Sequence, residues 1–266
     1  MSLRISTNVD ALNAYRNLSV TQNNLSGSLE KLSSGLRINK AADDAAGLAI
    51  SQSLTSQVGG LTVGVRNAQD GISVAQTADG ALTEVQSMLQ RMNDLSVQYK
   101  NGTQNASSQA ALGSEFTALS TEIGRITTNA KFNGVALFGG AALTFQVGSD
   151  SADTIDVSAT ALANPNVAAG PVASAVITDS NTVQAAVTAI SSQRAELGAV
   201  QNRFQHTINS TNVAITNLTA SKSQITDTDM ASEMVNFTKS NILSQAGTAM
   251  LAQANQASQG VLKLLG

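Results

Sequence analysis

The segment from Leu54 to Tyr99 constrains the fold more than any other feature of this sequence. Its apolar residues recur at alternating spacings of three and four, and only the positions near Asp79 and Ser96 interrupt them. That spacing places them on one face of an α-helix. At 1.5 Å per residue, such a helix would be about 65–70 Å long. The sequence therefore predicts one long helix, which ends at Asn101.

A seven-residue repeat of mostly apolar positions runs through the second half of the chain. Its members are Val183, Ile190, Leu197, Phe204, Thr211, Leu218 and Ile225. A sustained repeat of this length predicts a coiled-coil seam, and the simplest fold pairs this second long helix antiparallel with the first. We therefore expect the two long helices to meet along a seam, which we call the rod-domain seam. It contains Leu61, Ala68, Leu82, Leu89, Ile190, Leu197, Phe204 and Leu218.

The middle of the chain changes character. Both prolines fall within residues 165–171, and the two arms on either side of the middle contain none. Nearby, Leu143, Phe145 and Val147 alternate with polar residues, which is typical of a short strand. We predict a small β-hairpin element at about 134–178, which is too short for an independent domain.

The residue patterns at the two ends of the chain predict shorter helices that expose apolar residues on more than one side. The N-terminal helix carries Leu25, Leu29, Leu32 and Leu36, and their spacing of four, three and four places them on one face of the helix. The C-terminal helix, which follows a break near residue 227, carries Met234, Phe237, Leu251, Leu262 and Leu265. Two helices alone bury little surface. We therefore expect this pair to be disordered in the monomer or completed by neighbouring copies of the chain. The predicted fold class is mainly α, a long antiparallel helical coiled coil or bundle with a small β-hairpin element.

Composition excludes several kinds of chemistry. The chain has no cysteine, which rules out disulfides, thiolate zinc sites and cysteine nucleophiles. The 15 basic and 18 acidic residues give a net charge of −3, whereas nucleic-acid binders usually carry a basic excess. The adjacent Asp43 and Asp44 favour a stabilised helix N-terminus over acid–base catalysis, and His206 has no second His or Cys with which to hold a metal. We predict no enzyme activity, no catalytic residue, no metal or other cofactor, and no nucleic-acid partner.

Gly59, Gly60 and Gly64 fall within the first long helix. The sequence contains no glycine-rich motif of the kind that binds phosphate. These glycines therefore indicate close packing or a bend in the helix.

No stretch of the sequence reads as a membrane anchor or a cleaved leader. The first residues lack a basic segment followed by an apolar one, so we expect no secretory signal peptide and another route for any export. Two uncharged stretches, 157–178 and 241–262, contain too many polar, glycine or proline residues for a bilayer core. We predict no membrane partner.

Several blocks near the two ends resemble bacterial flagellins. The N-terminal signature reads LSSGLRIN followed by AADDAAGLAI, and the C-terminal arm contains LGAVQNRF. The matching blocks occupy residues 32–39, 41–50, 67–73, 75–82, 89–91, 95–98, 132–134, 197–204 and 246–256. The resemblance covers roughly residues 1–138 and 183–266, in the order in which the family has them.

The resemblance implies a structural subunit that self-assembles into the helical flagellar filament, the extracellular propeller for swimming. Residues 1–43 and 227–266 would form the inner domain that lines the filament channel. Residues 44–226 would form an outer helical rod that includes the β element. The middle is too short for the large outer domains that many flagellins insert there.

The resemblance also implies partners. These are other copies of the chain, the flagellar cap protein, the hook–filament junction protein and an export chaperone of the type III apparatus. Arg91, Leu95 and Glu115 match positions that the vertebrate flagellin-sensing Toll-like receptor reads, and residues 30–51 match the segment that plant receptor kinases sense. Arg91 and Leu95 lie one helical turn apart, so we expect them to share a face. Contacts between subunits along the filament are an equally good interpretation of Arg91, Leu95 and Glu115.

Two alternatives remain open from the sequence. A hook–filament junction protein is a relative of the same family, and the close match to both terminal signatures disfavours it. A type III-secreted translocator would insert into host membranes, and the lack of an apolar span disfavours it.

Overall fold

A computed structural model describes residues 8–166 and 172–265, with side chains described as far as residue 256. Within that part the chain forms five helices and four short strands. The helices are α1 (Val9–Ser34), α2 (Ala45–Tyr99), α3 (Ala106–Asn129), α4 (Ser180–Thr226) and α5 (Met230–Leu265). The strands are β1 (Lys131–Phe132), β2 (Val135–Ala136), β3 (Leu143–Gln146) and β4 (Thr154–Val157). The predicted mainly α class with a small β element is confirmed.

The chain divides into two compact units. The terminal unit contains the described residues up to Ser56 and from Leu218 onward, and the central unit contains Gln57–Asn217. The helices α2 and α4 each contribute residues to both units.

In the terminal unit, α1 and α5 pack side by side and antiparallel. At one end of this α1–α5 pair, the Asn8 side-chain amide donates to the Ala254 carbonyl (3.0 Å). At the other end, the Thr228 backbone N–H donates to the Gly35 carbonyl (3.0 Å) and the Arg37 N–H donates to the Thr226 carbonyl (2.6 Å). These backbone bonds join the turn after α1 to the turn before α5.

Helix α2 is longer than the apolar periodicity predicted, because it begins at Ala45 and not near Leu54. The Asp44 carboxylate accepts a hydrogen bond from the Gly47 N–H (2.8 Å), which satisfies one of the free N–H groups of the first turn. The 55 residues of α2 make it about 80 Å long. Its first turns lack a strong apolar face, so the capping residue, not the periodicity, marks the start.

The core of the central unit lies between α2, α3, α4 and the β element. The fully buried large side chains are Phe204, Leu82, Leu89, Met92, Leu95, Ile123, Leu137, Leu162, Ile190, Leu197, Val85 and Val157. Helices α2 and α4 run antiparallel there, since Arg194 bonds to Asp79 and Phe204, farther along α4, packs on Gly71, which precedes Asp79 on α2.

The rod-domain seam residues occupy this core with two exceptions. Ala68, Leu82, Leu89, Ile190, Leu197 and Phe204 are buried. Leu61 and Leu218 are half-buried, and Leu218 belongs to the terminal unit.

The β element forms two antiparallel hairpins between residues 131 and 157. The first, β1–β2, turns at Asn133 and Gly134, both of which have positive φ (46° and 83°). Positive φ at both central residues is typical of a two-residue hairpin turn. The two hairpins thus occupy residues 131–157 and not the predicted range of about 134–178.

Residues 158–166, which follow β4, do not continue the sheet. They are held by side chains of α4: the Gln193 amide donates to the Ala163 carbonyl (3.2 Å), and the Ser158 hydroxyl donates to the Glu196 carboxylate (3.0 Å). Side-chain bonds of this kind replace a strand ladder, which is why the alternating pattern stops at Val157. Pro171 lies outside the described residues.

Gly60 and Gly64 bring α2 against the turn between β3 and β4. A Cβ at Gly60 would lie 3.1 Å from the Ser149 Cβ, and one at Gly64 would meet the Val147 carbonyl oxygen. The expected close packing is therefore present at these two glycines, but its partner is a hairpin turn, and a Cβ at Gly59 would meet no atom within 4 Å.

Candidate assembly surface

The contact between α1 and α5 follows a spacing of three and four residues on both helices. On α1 the less exposed positions at this spacing are Ala11, Ala14, Leu18, Thr21, Leu25, Ser28 and Leu32. On α5 they are Glu233, Phe237, Ser240, Ser244, Gly247, Leu251 and Ala254, together with neighbouring Asn241. The spacing is that of coiled-coil seams, but many of these side chains are small or polar. The seam therefore buries little apolar area.

Gly247 shows how close the two helices come. A Cβ at this position would lie 3.2 Å from Cδ1 of Leu18 and 3.9 Å from its Cα. Leu18 is buried, with 8% of its surface exposed. The large side chain of α1 thus fills the space that the glycine of α5 leaves open.

Large apolar side chains lie on the outer sides of both helices. We call this set the outer apolar surface. On α1 it consists of Val9, Leu12, Tyr15, Val20 and Leu29, which are 50–65% exposed. On α5 it consists of Met230, Met234, Val235, Ile242, Leu243 and Met250, which are 47–67% exposed. Where such side chains lie together, as Met234, Val235, Ile242 and Leu243 do on α5, they mark an interaction surface.

The part of the outer apolar surface on α5 is poor in charge. Glu233 and Lys239 are the two charged residues within 230–262. An open hollow of about 490 Å³ is lined there by Met234, Val235, Thr238, Lys239, Ile242 and Leu243. Depletion of charge around apolar side chains is typical of the centre of a protein–protein interface.

The predicted assembly residues of α1 fall into two groups. Leu25 and Leu32 are half-buried in the seam. Leu29 is 50% exposed, and the buried residue of that turn is Ser28, with 7% exposed. Leu36 lies beyond the end of α1, where it pairs with Asp227 in an isolated β-bridge. The expectation that these four leucines share one helical face was wrong, because the seam passes through Ser28 and α1 ends at Ser34.

The predicted assembly residues of α5 are also divided. Phe237 and Leu251 are half-buried in the seam, whereas Met234 is 50% exposed on the outer apolar surface. Leu262 and Leu265 lie on α5, but their side chains are outside the described part of the chain.

Two of the three residues of the predicted receptor or axial-contact surface, Arg91 and Glu115, lie together on the surface of the protein. The Arg91 Nε donates to the Glu115 carboxylate (2.8 Å), and both side chains are about half exposed. This bond raises the pKa of Arg91. Leu95, in contrast, is fully buried. Four residues rotate a helix by about 40°, and that rotation turns Leu95 from the surface towards the core, so the expectation that it shares the exposed face was wrong.

The connection between α1 and α2 is a hydrogen-bonded turn. The Asp43 carboxylate accepts hydrogen bonds from the backbone N–H groups of Lys40 (2.9 Å) and Asn39 (3.0 Å). These two bonds hold the pKa of Asp43 below its usual range. Arg37 donates from its guanidinium to the Ile225 carbonyl (2.7 Å). Arg37 and Asp43 thus bond to backbone, whereas Lys40 pairs with the carboxylate of Glu30 (2.6 Å).

Other kinds of site find no support in the described residues. Among residues 8–166 and 172–265, no three His, Cys, Asp or Glu side chains are grouped to hold a metal. A separate survey of the same residues finds no helix with the length and apolar character that a membrane crossing requires.

Sequence reasoning identified the terminal helices as incomplete but did not locate the outer apolar surface. Of the residues that compose it, Leu29 and Met234 were predicted. The sequence does contain a signal for this surface, because apolar residues such as Val235 and Ile242 fall between the seam positions.

Comparisons with known proteins find matches to both helical arms of the chain. The family described as the bacterial flagellin N-terminal helical region matches residues 5–142, and the bacterial flagellin C-terminal helical region matches residues 181–265. A flagellin from Halalkalibacterium halodurans is 47% identical over 98% of this chain and 99% of its own length. A flagellin from Bacillus subtilis is 43% identical over 99% of this chain and all of its own length. The flagellar filament 33 kDa core protein of Treponema phagedenis is 41% identical over 98% of this chain and 99% of its own. On these matches, which span both helical arms, the chain belongs to the bacterial flagellin family.

Proposed function

We propose that this chain is the structural subunit of an extracellular flagellar filament, which it forms by polymerising with copies of itself. The observation that carries the proposal is the outer apolar surface of the α1–α5 pair. A monomer leaves these eleven large side chains half exposed, and a neighbouring copy presents the same kind of surface. The relatives named as flagellins and filament core proteins support the same function.

The energetics favour assembly through the whole surface. Covering the exposed half of a large apolar side chain contributes about 1 kcal/mol, and thus roughly 10 kcal/mol for the set. Association costs about 4–15 kcal/mol in lost freedom of motion. The two terms are similar in size, so one partial contact is weak. When several neighbours surround a subunit, they cover its full outer apolar surface and the subunit stays bound.

The proposal assigns roles to the two parts of the chain. Residues 1–43 and 227–266 form the inner domain around the filament channel, because the outer apolar surface lies on these helices. Residues 44–226 form the outer rod, which α2 and α4 stiffen. Torque passes along the filament through packing, and the proposal contains no catalytic step.

Partners other than the chain itself follow from the family. The cap protein, the hook–filament junction protein and an export chaperone would contact the chain during export and assembly. The Arg91–Glu115 pair is exposed, so it is accessible to the next subunit along the filament or to a Toll-like receptor. Residues 30–51 are the corresponding candidate segment for a plant receptor kinase.

Negative-stain electron microscopy of the purified chain, with filament seeds or a salting-out agent, tests the proposal. We expect long uniform tubes from the unchanged protein. Val235→Asp, in the outer apolar surface, should abolish them, whereas Val213→Asp on α4 is the matched control, because the two valines are 67% and 61% exposed. Persistent monomers of the unchanged chain would contradict self-assembly and favour a junction protein.

A further inference from the structure

The methionines in the described part of the chain occupy two different environments. Met230, Met234 and Met250 are 47%, 50% and 64% exposed on α5. Met92 is fully buried in the central unit, and Met88 is partly buried against the same core. The accessible thioether sulfurs among the described residues are therefore concentrated on the outer apolar surface.

The surroundings of Met234 are mainly apolar, with Lys239 as a charged neighbour. Met234 lines the open hollow on α5 together with Val235, Ile242 and Leu243. Thr238 is a polar neighbour, but its hydroxyl already donates to the Met234 carbonyl (2.8 Å). Met230 lies one helical turn from Met234, so the two side chains are adjacent on the helix.

We propose that Met230, Met234 and Met250 form a modification site at which peroxide controls assembly: the sulfoxides block polymerisation of the monomer, and polymerisation in turn protects the sulfurs. This inference rests on the proposed function, because it requires the outer apolar surface to be covered in the filament.

The chemistry is a two-electron transfer of oxygen. A lone pair of the thioether sulfur attacks one oxygen of hydrogen peroxide, the O–O bond breaks, and a sulfur–oxygen bond forms. Proton transfer to the departing oxygen releases water. The sulfur is oxidised to the sulfoxide, and the peroxide is reduced to water.

The product no longer suits a buried apolar contact. A sulfoxide is polar and carries an oxygen that accepts hydrogen bonds, whereas the thioether is an adaptable apolar side chain. In the monomer, water hydrates this oxygen. In an assembled copy the neighbouring apolar side chains would replace the water without offering a donor, and burial of an unpaired polar group is unfavourable. The sulfoxide therefore opposes assembly without disturbing the fold of the central unit.

The experiment compares peroxide treatment of monomers and of filaments. Peptide mass spectrometry should find Met230, Met234 and Met250 oxidised at least tenfold faster in the monomer than in the filament. Met92 should react slowly in both states, since the core covers it. The critical concentration for polymerisation, measured by sedimentation, should rise at least tenfold for the oxidised monomer. Methionine sulfoxide reductase should restore the original value.

A triple variant, Met230→Leu with Met234→Leu and Met250→Leu, separates oxidation from other peroxide damage. Leucine retains the apolar volume and cannot form a sulfoxide. The variant should polymerise equally well before and after peroxide, whereas the control Met88→Leu should remain sensitive. If the triple variant does not polymerise before treatment, the reductase repair of the oxidised unchanged chain gives the same comparison.

The outcomes are distinguishable. Oxidised monomers that polymerise at the original critical concentration would overturn this inference and leave the proposed function intact. Equal oxidation of the three methionines in monomer and filament would also overturn it. Failure of the untreated chain to polymerise would overturn the proposed function and this inference together.

Discussion

Phe204 packs directly on the backbone of Gly71: a Cβ added to Gly71 would lie 2.5 Å from Cζ of Phe204. The Phe204 ring is fully buried, and it meets the ring of Phe145 edge-on, with 5.5 Å between the ring centroids. One aromatic side chain of α4 therefore joins α2 to the β3–β4 hairpin, and the absence of a side chain at Gly71 makes this contact possible.

Substitution of this glycine should destabilise the central unit. We expect Gly71→Ala to lower the free energy of unfolding by about 1–3 kcal/mol, because the added methyl group forces the Phe204 ring out of its place. Urea unfolding followed by circular dichroism measures the change. Gly80→Ala is the matched control on the same helix, since no atom lies within 4 Å of its added Cβ. The control should stabilise by about 0.5–1 kcal/mol, and equal effects of the two substitutions would contradict the steric argument.

The Arg194 side chain should contribute more to stability than the exposed arginines. Its Nε donates to the Asp79 carboxylate (2.7 Å) and its Nη1 to the Gln86 amide oxygen (2.6 Å), and about a third of each charged side chain is exposed. We expect Arg194→Leu to cost about 1–2 kcal/mol of unfolding free energy, since it leaves partly buried acceptors unpaired. Arg125→Leu removes a more exposed pair with Glu122 and should change stability by less than about 0.5 kcal/mol. Chemical denaturation of both variants makes the comparison.

Stability of the terminal unit should fall in acid. The Asp227 carboxylate accepts hydrogen bonds from the hydroxyls of Ser223 (2.6 Å) and Thr226 (3.0 Å), and these bonds lower the pKa of Asp227. A lowered pKa stabilises the fold above the pKa of the unfolded carboxyl, which is about 4. That contribution is lost as the pH falls through the lower folded value. Thermal unfolding between pH 6 and 2 should show this loss, and both Asp227→Asn and Ser223→Ala should reduce it. An unchanged pH dependence in both variants would contradict the assignment.

Limited proteolysis should remove the ends of the free chain first. The α1–α5 seam consists largely of small and polar side chains, and regions with few buried apolar contacts open most easily. We expect a protected fragment of about residues 45–225, identified by mass spectrometry. Filaments should resist the same treatment, because neighbouring copies cover the outer apolar surface. Early cuts within 57–217 would contradict this order.

Removal of residues 230–266 should separate folding from assembly. The deletion takes away α5 and six residues of the outer apolar surface, while the core of the central unit has no residue in that range. We expect a shortened chain that remains helical and unfolds cooperatively but forms no filaments in electron microscopy. Normal filaments from the shortened chain would contradict the assembly proposal.

The sequence by itself determined the helices and, on α4, the face that is buried. The seven-residue repeat from Val183 onward predicted the buried positions of α4, including Ile190, Leu197 and Phe204. Such predictions succeed because helical periodicity is a local property: residues three and four apart share a face whatever the rest of the chain does.

The tertiary structure alone decided which face of each helix is covered and which kind of segment covers it. It placed Ser28 in the seam and left Leu29 outside, buried Leu95 beside the exposed Arg91, and set a hairpin turn against Gly64. The reason is that coverage depends on segments far away in the sequence. Periodicity could not show that α1 and α5 meet through small residues such as Gly247, and therefore could not show that their large apolar side chains stay uncovered in a single chain.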